Sequence, residues 1–296
     1  MNHVKEQICC RDAYTLGITG KGVGVAVLDT GIFPHRDFDS RILGFADMVN
    51  GKPGPYDDCG HGSHICGIIG GSGISSDGRY QGMAPGCNLV PVKVLDKKGN
   101  GYVNNVLAGI NWILERKQEL GIRILNISVG AGGKKFASEK SSLVHGVNRA
   151  WDEGLVVVVA AGNNGPRPMS VTTPGISRKV ITVGCSDDDR EVLVGANRMV
   201  DYSGRGPTRE CVCKPDVVAP GSCVVSCACQ DYKYTIKSGT SMSTPIVSGA
   251  VALLLEKYPE MTNRDVKLKL RESCRDIGLP RNQQGWGLLD VEKLLI

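Results

Sequence analysis

One serine in this chain stands where it could act as a nucleophile: Ser241, in the run Ser238-Gly-Thr-Ser-Met-Ser-Thr-Pro245. The residues after it, as far as Glu256, are apolar and small, the composition of a buried helix. Ser241 would then sit at the amino end of that helix, where unpaired backbone N–H groups and the positive end of the dipole favour an anion. Such a charge develops when a hydroxyl attacks a carbonyl. Gly239 leaves room there for a substrate backbone. A serine hydroxyl is a poor nucleophile at neutral pH, so this chemistry requires a histidine to take its proton and an acid to orient the histidine. Asp29 closes an apolar, strand-like run and is followed by Thr30-Gly31. His61 opens a helical pattern in Asp57-Asp-Cys-Gly-His-Gly-Ser-His-Ile-Cys-Gly67. Taken singly, each has a plain structural reading: Asp29 a strand-end turn residue, His61 a helix cap, Ser241 an N-cap.

The elements that must position these side chains read as an alternation. Apolar, β-branched runs at 23–28, 89–95, 122–127, 155–161 and 180–183 predict buried strands, and helical patterns fall between them at 64–70, 103–120 and 141–153. On the 103–120 pattern Val106, Leu107, Ile110, Ile113 and Leu114 share one face. Strands without surface alternation, separated by helices, predict an α/β fold with a mostly parallel central sheet covered by helices on both faces, in a single domain. Functional residues then belong at the carboxyl ends of strands and in the first turns of helices. Residues 223–228 and 232–237 read as antiparallel strands, and 263–273 as a final amphipathic helix. Gly20-Lys-Gly-Val-Gly24 is not a dinucleotide fingerprint, because its glycines precede their strand instead of following it.

Three motifs in the order Asp29-Thr-Gly31, His61-Gly-Ser-His64 and Gly239-Thr-Ser-Met-Ser-Thr-Pro245, with key residues 32 and 180 positions apart, resemble those of the subtilisin-like serine proteases, or subtilases. The intracellular bacterial members are the most similar. The resemblance runs from Gly22 to Gly287, leaving residues 1–20 as a short N-terminal extension and 21–296 as a peptidase catalytic domain. It implies a serine endopeptidase in which His61 takes the Ser241 proton, Asp29 fixes the imidazole tautomer, and an acyl-enzyme forms. Val159-Ala-Ala-Gly-Asn-Asn-Gly165 matches the family segment whose first asparagine donates to the oxyanion, making that residue Asn163, with the Ser241 N–H as second donor. Two alternatives stay open: a processing protease dedicated to one partner protein, and an inactive subtilase used as a scaffold.

The same resemblance implies an extended substrate paired between Asn100-Gly101-Tyr102-Val103 and Ser128-Val129-Gly130-Ala131. The primary pocket is then walled by Ser128, Val129, Gly130, Ala160, Ala161 and Gly162, with Thr172 near its base. That set holds no carboxylate, which implies uncharged P1 side chains, while Asp57 and Asp58 beside the base would favour a basic P2 residue. No cofactor is required. Structural calcium is an expectation at two places: Asp37, in His35-Arg-Asp-Phe38, although the loop 71–80 departs from the usual liganding loop, and Asp216, with carbonyls around 174–180.

The chain of 296 residues has 35 Lys plus Arg against 30 Asp plus Glu, with no long basic run and no interleaved aromatics, so no nucleic-acid partner is expected. No stretch of about 18 apolar residues appears, so no membrane span is expected. Protein or peptide substrates are the expected partners. The amino terminus lacks a signal sequence's apolar core, which predicts a cytoplasmic protein, secreted only if a leader has been trimmed. The 28 residues ahead of Asp29 are too few for a long folding propeptide. Twelve cysteines, none with the spacing of a zinc knuckle, are expected as reduced thiols. Cys59 and Cys66 flank His61, so thiol reagents are expected to inhibit indirectly.

Overall fold

The computed structural model describes residues 1–130 and 138–296. Its central sheet has seven strands in the order β2 (Ala46–Asp47), β3 (Asn88–Lys93), β1 (Gly24–Asp29), β4 (Ile122–Ile127), β5 (Val156–Ala160), β6 (Ile181–Cys185) and β9 (Val217–Ala219). Every neighbouring pair is parallel. Strands β1, β5, β6 and β9 are buried along their whole length, which explains their Val-rich, non-alternating sequences. Two antiparallel hairpins lie outside the sheet: β7 (Val192–Val194) with β8 (Asn197–Met199), and β10 (Val224–Cys227) with β11 (Tyr234–Lys237).

The helices are α1 (Asn2–Gln7), α2 (Arg11–Thr15), α3 (His61–Gly70), α4 (Val103–Arg116), α5 (Ser142–Asp152), α6 (Thr240–Lys257), α7 (Asn263–Ser273), α8 (Arg281–Gln284) and α9 (Val291–Leu295). From β1 the chain passes to the edge strand β2, then through α3 to β3 beside β1, and then through α4 to β4 on the other side of β1. This order lays β3 and β4 on either side of β1, and in such a sheet functional groups gather at the carboxyl ends of the strands. Helix α3 packs against α6, and α4 against α5. Every residue of α6 from Thr240 to Leu255 is buried except Ser241.

The helix expected over 103–120 stops at Arg116: Ile122 N–H bonds to the Lys117 carbonyl at 2.8 Å, and Gly121 turns the chain with φ of 59°. The helix at 263–273 is not the last, since α8 and α9 follow. The sequence reading also passed over β2 and β9, which have two and three residues, too few for periodicity to register. Residues 1–20 are part of the packed body. Val4, Ile8, Cys10 and Ala13 are buried in the main core, Tyr14 Oη donates to the Met83 carbonyl at 2.7 Å, and Val291 N–H bonds to the Ile8 carbonyl at 2.8 Å. Among the described residues no helix is long and apolar enough to cross a membrane.

One carboxylate joins this segment to α6: Glu256 Oε2 accepts the N–H groups of Thr19 at 2.6 Å and Gly20 at 2.5 Å. Replacing Glu256 by Ala strands both donors. We expect the urea midpoint to fall, corresponding to about 1–3 kcal/mol of stability.

Candidate active site

Asp29 is the last residue of β1, and its carboxylate is buried. His61 is the first residue of α3 and presents Nδ1 to that carboxylate at 2.7 Å from Oδ1 and 2.9 Å from Oδ2. A carboxylate only accepts, so Nδ1 carries the proton and Nε2 keeps a lone pair. Backbone contact holds the two elements at this separation. A side chain on Gly62 would strike the Gly31 carbonyl, and one on Gly31, where φ is 110°, would strike that of Tyr56. Thr30 Oγ1 donates to Asp57 Oδ1 at 2.9 Å and accepts the Gly62 N–H at 2.9 Å.

Asp57 does not face a substrate. It caps α3, taking the N–H groups of Cys59, Gly60 and Ser63 and the Ser63 hydroxyl. Burial pushes its carboxyl up, but these donors outweigh that and hold it below the usual range. Asp58 is bound by Lys93 Nζ at 2.7 Å. The basic P2 preference expected from these two acids therefore loses its basis: one is turned inward and the other is already paired.

Ser241 is the second residue of α6. Its Oγ donates to the Ser128 carbonyl at 2.7 Å, and it lines one cleft of about 520 Å³ together with His61 and Asn163. Asn163 Oδ1 accepts both the N–H and the hydroxyl of Thr240, each at 3.0 Å. With the oxygen fixed there by an N–H that can only donate, Nδ2 is the free donor end of the amide. Gly239 precedes α6 with φ of 137°, and a β-carbon there would lie 3.2 Å from Nδ2.

The cleft extends away from Ser241 between Ser128, Val129 and Gly130 on one side and Ala160 and Gly162 on the other, ending at Thr172. A β-carbon on Gly130 would come within 2.3 Å of Thr172 Oγ1, and one on Gly162 within 2.4 Å, so the two glycines let the walls close onto this floor. Ala161 lies behind the wall, its N–H on the Val183 carbonyl and its carbonyl on Thr172 N–H. Asn100, Gly101 and Tyr102 are exposed, and the cleft is instead lined by Leu95, Lys98 and Gly99 just before them. Ala131 lies outside the described residues. Cys59 lines the cleft, whereas Cys66 is fully buried with its thiol pushed well above the ordinary range by burial, so of these two only Cys59 is open to thiol reagents.

Four side chains of this site, Lys237, Leu193, Val194 and Asn126, were not singled out in the sequence. Lys237, at the end of β11, lines both this cleft and a second one of about 480 Å³ on the far side of Ser241. The β7–β8 hairpin walls that second cleft with Leu193, Val194 and Gly195. Asn126, buried in β4, donates to Ser128 Oγ at 2.9 Å and accepts the Ser248 hydroxyl at 2.8 Å, tying α6 to the cleft wall. A polar residue in a run such as Ile-Arg-Ile-Leu-Asn-Ile was the available clue.

The two places considered for calcium hold other partners. Asp37 accepts the N–H groups of Gly73 at 3.1 Å and Ser75 at 3.0 Å and the Tyr234 hydroxyl at 2.8 Å. Among the His, Cys and acidic side chains of the described residues, those placed to share an ion with it are His35 and Cys227. Calcium takes six to eight oxygens, and N–H groups aimed at the carboxylate repel a cation, so this set does not fit it. At Asp216, Lys214 Nζ stands 2.5 Å from Oδ2 and Lys267 Nζ 3.7 Å from Oδ1.

A parallel sheet whose carboxyl edge gathers aspartate, histidine and a helix-borne serine is the arrangement of the subtilases, and the chain belongs to that family, whose pattern matches residues 20–287. It is 42% identical over 287 residues to the serine protease AprX of Bacillus subtilis (strain 168), covering 91% of this chain. The chain spans 64% of the length of that relative. It is 34% identical over 280 residues to subtilisin Savinase of Lederbergia lenta, covering 95% of this chain and 93% of that protein. Among solved structures, sphericase superposes with a TM-score of 0.76 at 28% identity, covering 92% of each chain.

Burial disfavours a charged His61, but the attraction of Asp29 and its hydrogen bond outweigh both burial and the repulsion of Lys237, raising the imidazole above its ordinary 6.5. Its contribution to stability is therefore complete below 6.5 and is lost as pH rises through the folded value. His64 is the opposite case: burial, then Lys237 and His61, push it down to about 3, and its Nε2–H is held by the carbonyls of Val224 and Thr235. In an NMR titration we expect His61 to titrate above 6.5, Lys237→Met to move it higher still, and His64 to stay neutral from pH 5 to 9.

Proposed function

We propose that the chain is a serine endopeptidase that cleaves peptide bonds through an acyl-enzyme, with Ser241 as nucleophile, His61 as base, Asp29 as orienting acid and Asn163 as oxyanion donor. The observation that carries this reading is the pair of short contacts from His61 Nδ1 to Asp29, which leave Nε2 unprotonated at the edge of the cleft that Ser241 shares. Rotation of the Ser241 hydroxyl away from the Ser128 carbonyl would deliver its proton to Nε2. As the carbonyl carbon is attacked, negative charge grows on its oxygen, and Asn163 Nδ2 and the Ser241 backbone N–H are the donors for it. Nε2–H then protonates the leaving amine, and water repeats the sequence on the ester. No cofactor enters any of these steps.

The pocket ending at Thr172 supports uncharged P1 side chains. Among the cleft's lining residues there is no carboxylate, and the charged ones are Lys98, Lys237 and, when protonated, His61. A positive cleft disfavours basic side chains at both P1 and P2. Broad digestion is the favoured reading, because an extended substrate paired through its backbone between two open segments is selected weakly by sequence.

A fluorophosphonate probe is expected to label the protein at Ser241, with labelling abolished by Ser241→Ala. Asn163→Ala is expected to lower kcat by about 10²–10³ with little change in KM. An unlabelled protein would identify a scaffold, and faster cleavage after Arg than after Leu or Ala in a peptide series would overturn the P1 assignment.

A further inference from the structure

Two lysines converge on one carboxylate, Asp216, at the amino ends of β6 and β9. Lys267, on α7, places Nζ 3.0 Å from the Arg178 carbonyl, 2.9 Å from that of Lys179 and 2.9 Å from that of Val180. Lys214 places Nζ 3.2 Å from the same Val180 carbonyl, 2.9 Å from Thr182 Oγ1 and 2.5 Å from Asp216 Oδ2. Both lysine heads are held inside, with side-chain exposures of 18% and 1%.

An ammonium has three donors, and each of these two has three oxygen acceptors. The three carbonyls, one hydroxyl and one carboxylate around them are hard oxygen ligands of the kind that hold sodium, potassium or calcium. We infer that the ammonium of Lys267 is a tethered cation: it occupies from within a nest of oxygens that would otherwise bind a free hard cation. A metal ion entering here would have to displace Lys267 from three carbonyls and would still face Lys214. Burial and the second ammonium push the Lys267 amine down to about 8 while Asp216 pulls it up, so near neutral pH the head is charged.

This reading is tested by thermal unfolding at pH 7 in a Ser241→Ala background, so that neither self-digestion nor the proposed activity enters the readout. The parent is expected to melt within about 1 °C in choline chloride with EGTA, in NaCl, in KCl and in CaCl₂. Lys267→Met, which keeps the aliphatic stem, is expected to lose roughly 5–10 °C in choline chloride and to recover at least half of that, saturably, with one of the three metal cations. A Lys267→Met protein that melts like its parent overturns the inference, as does one that loses stability which no cation restores beyond its effect on the parent. A parent that gains as much from a cation as the variant does also overturns it. Lys267→Gln serves the same comparison if Lys267→Met does not fold.

Discussion

The rest of this site depends on one contact, the short forked hydrogen bond that His61 Nδ1–H at the start of α3 donates to the two oxygens of Asp29 at the end of β1. A hydrogen bond of this length tolerates displacements of a few tenths of an ångström, yet its partners come from elements 32 residues apart. The fold holds that tolerance with backbone rather than side chains. Gly62 lies against the Gly31 carbonyl, and Thr30 and Asp57 lace the strand end to the helix cap with N–H and O–H donors. Asp57, read from sequence as a groove residue, is a structural clamp.

The nucleophile is held by different means. Helix α6 is buried on every side, so it cannot tilt without disturbing the sheet it crosses, and Ser241 is its one half-exposed residue before Glu256. Polar contacts fix its axial position: Ser248 on Asn126 about two turns deeper in the core, and Thr240 on Asn163 at the cleft. These bonds run through the hydrophobic interior, where an unpaired amide or hydroxyl costs about 1–3 kcal/mol. Burying Thr240, Ser248 and Asn126 is therefore favourable only where each meets its partner, which couples correct packing of the core to correct aim of the serine.

Charge is distributed with the same economy. Buried carboxylates at Asp37 and Asp216 are met by protein donors, N–H and hydroxyl groups in one case and two ammoniums in the other. Around Ser241 the balance is positive, with Lys98 and Lys237 facing the cleft and Lys93 neutralising Asp58. Burial and, more weakly, the Lys237 ammonium lower the proton affinity of His61, and the pull of the buried Asp29 outweighs them.

The long strands, α4, α5 and the serine helix could be read from the chain itself, because apolar periodicity is a local property and each element is long enough to display it. The motifs around Asp29, His61 and Ser241 were legible for the same reason: a strand end, a helix start and a small-residue helix mouth are local signals. Lys237, Asn126, Lys267 and the β7–β8 hairpin were not, since a lysine on a short strand or an asparagine in an apolar run looks the same whether it meets water or a partner far along the chain. Which acids face substrate was likewise undecidable: Asp57 and Asp58 are adjacent in sequence, yet one caps a helix and the other pairs with a buried lysine. Sequence alone determined the kinds of element and the chemistry their ends could carry. Tertiary structure decided which groups meet, because burial and distance arise only when segments remote along the chain are packed against one another.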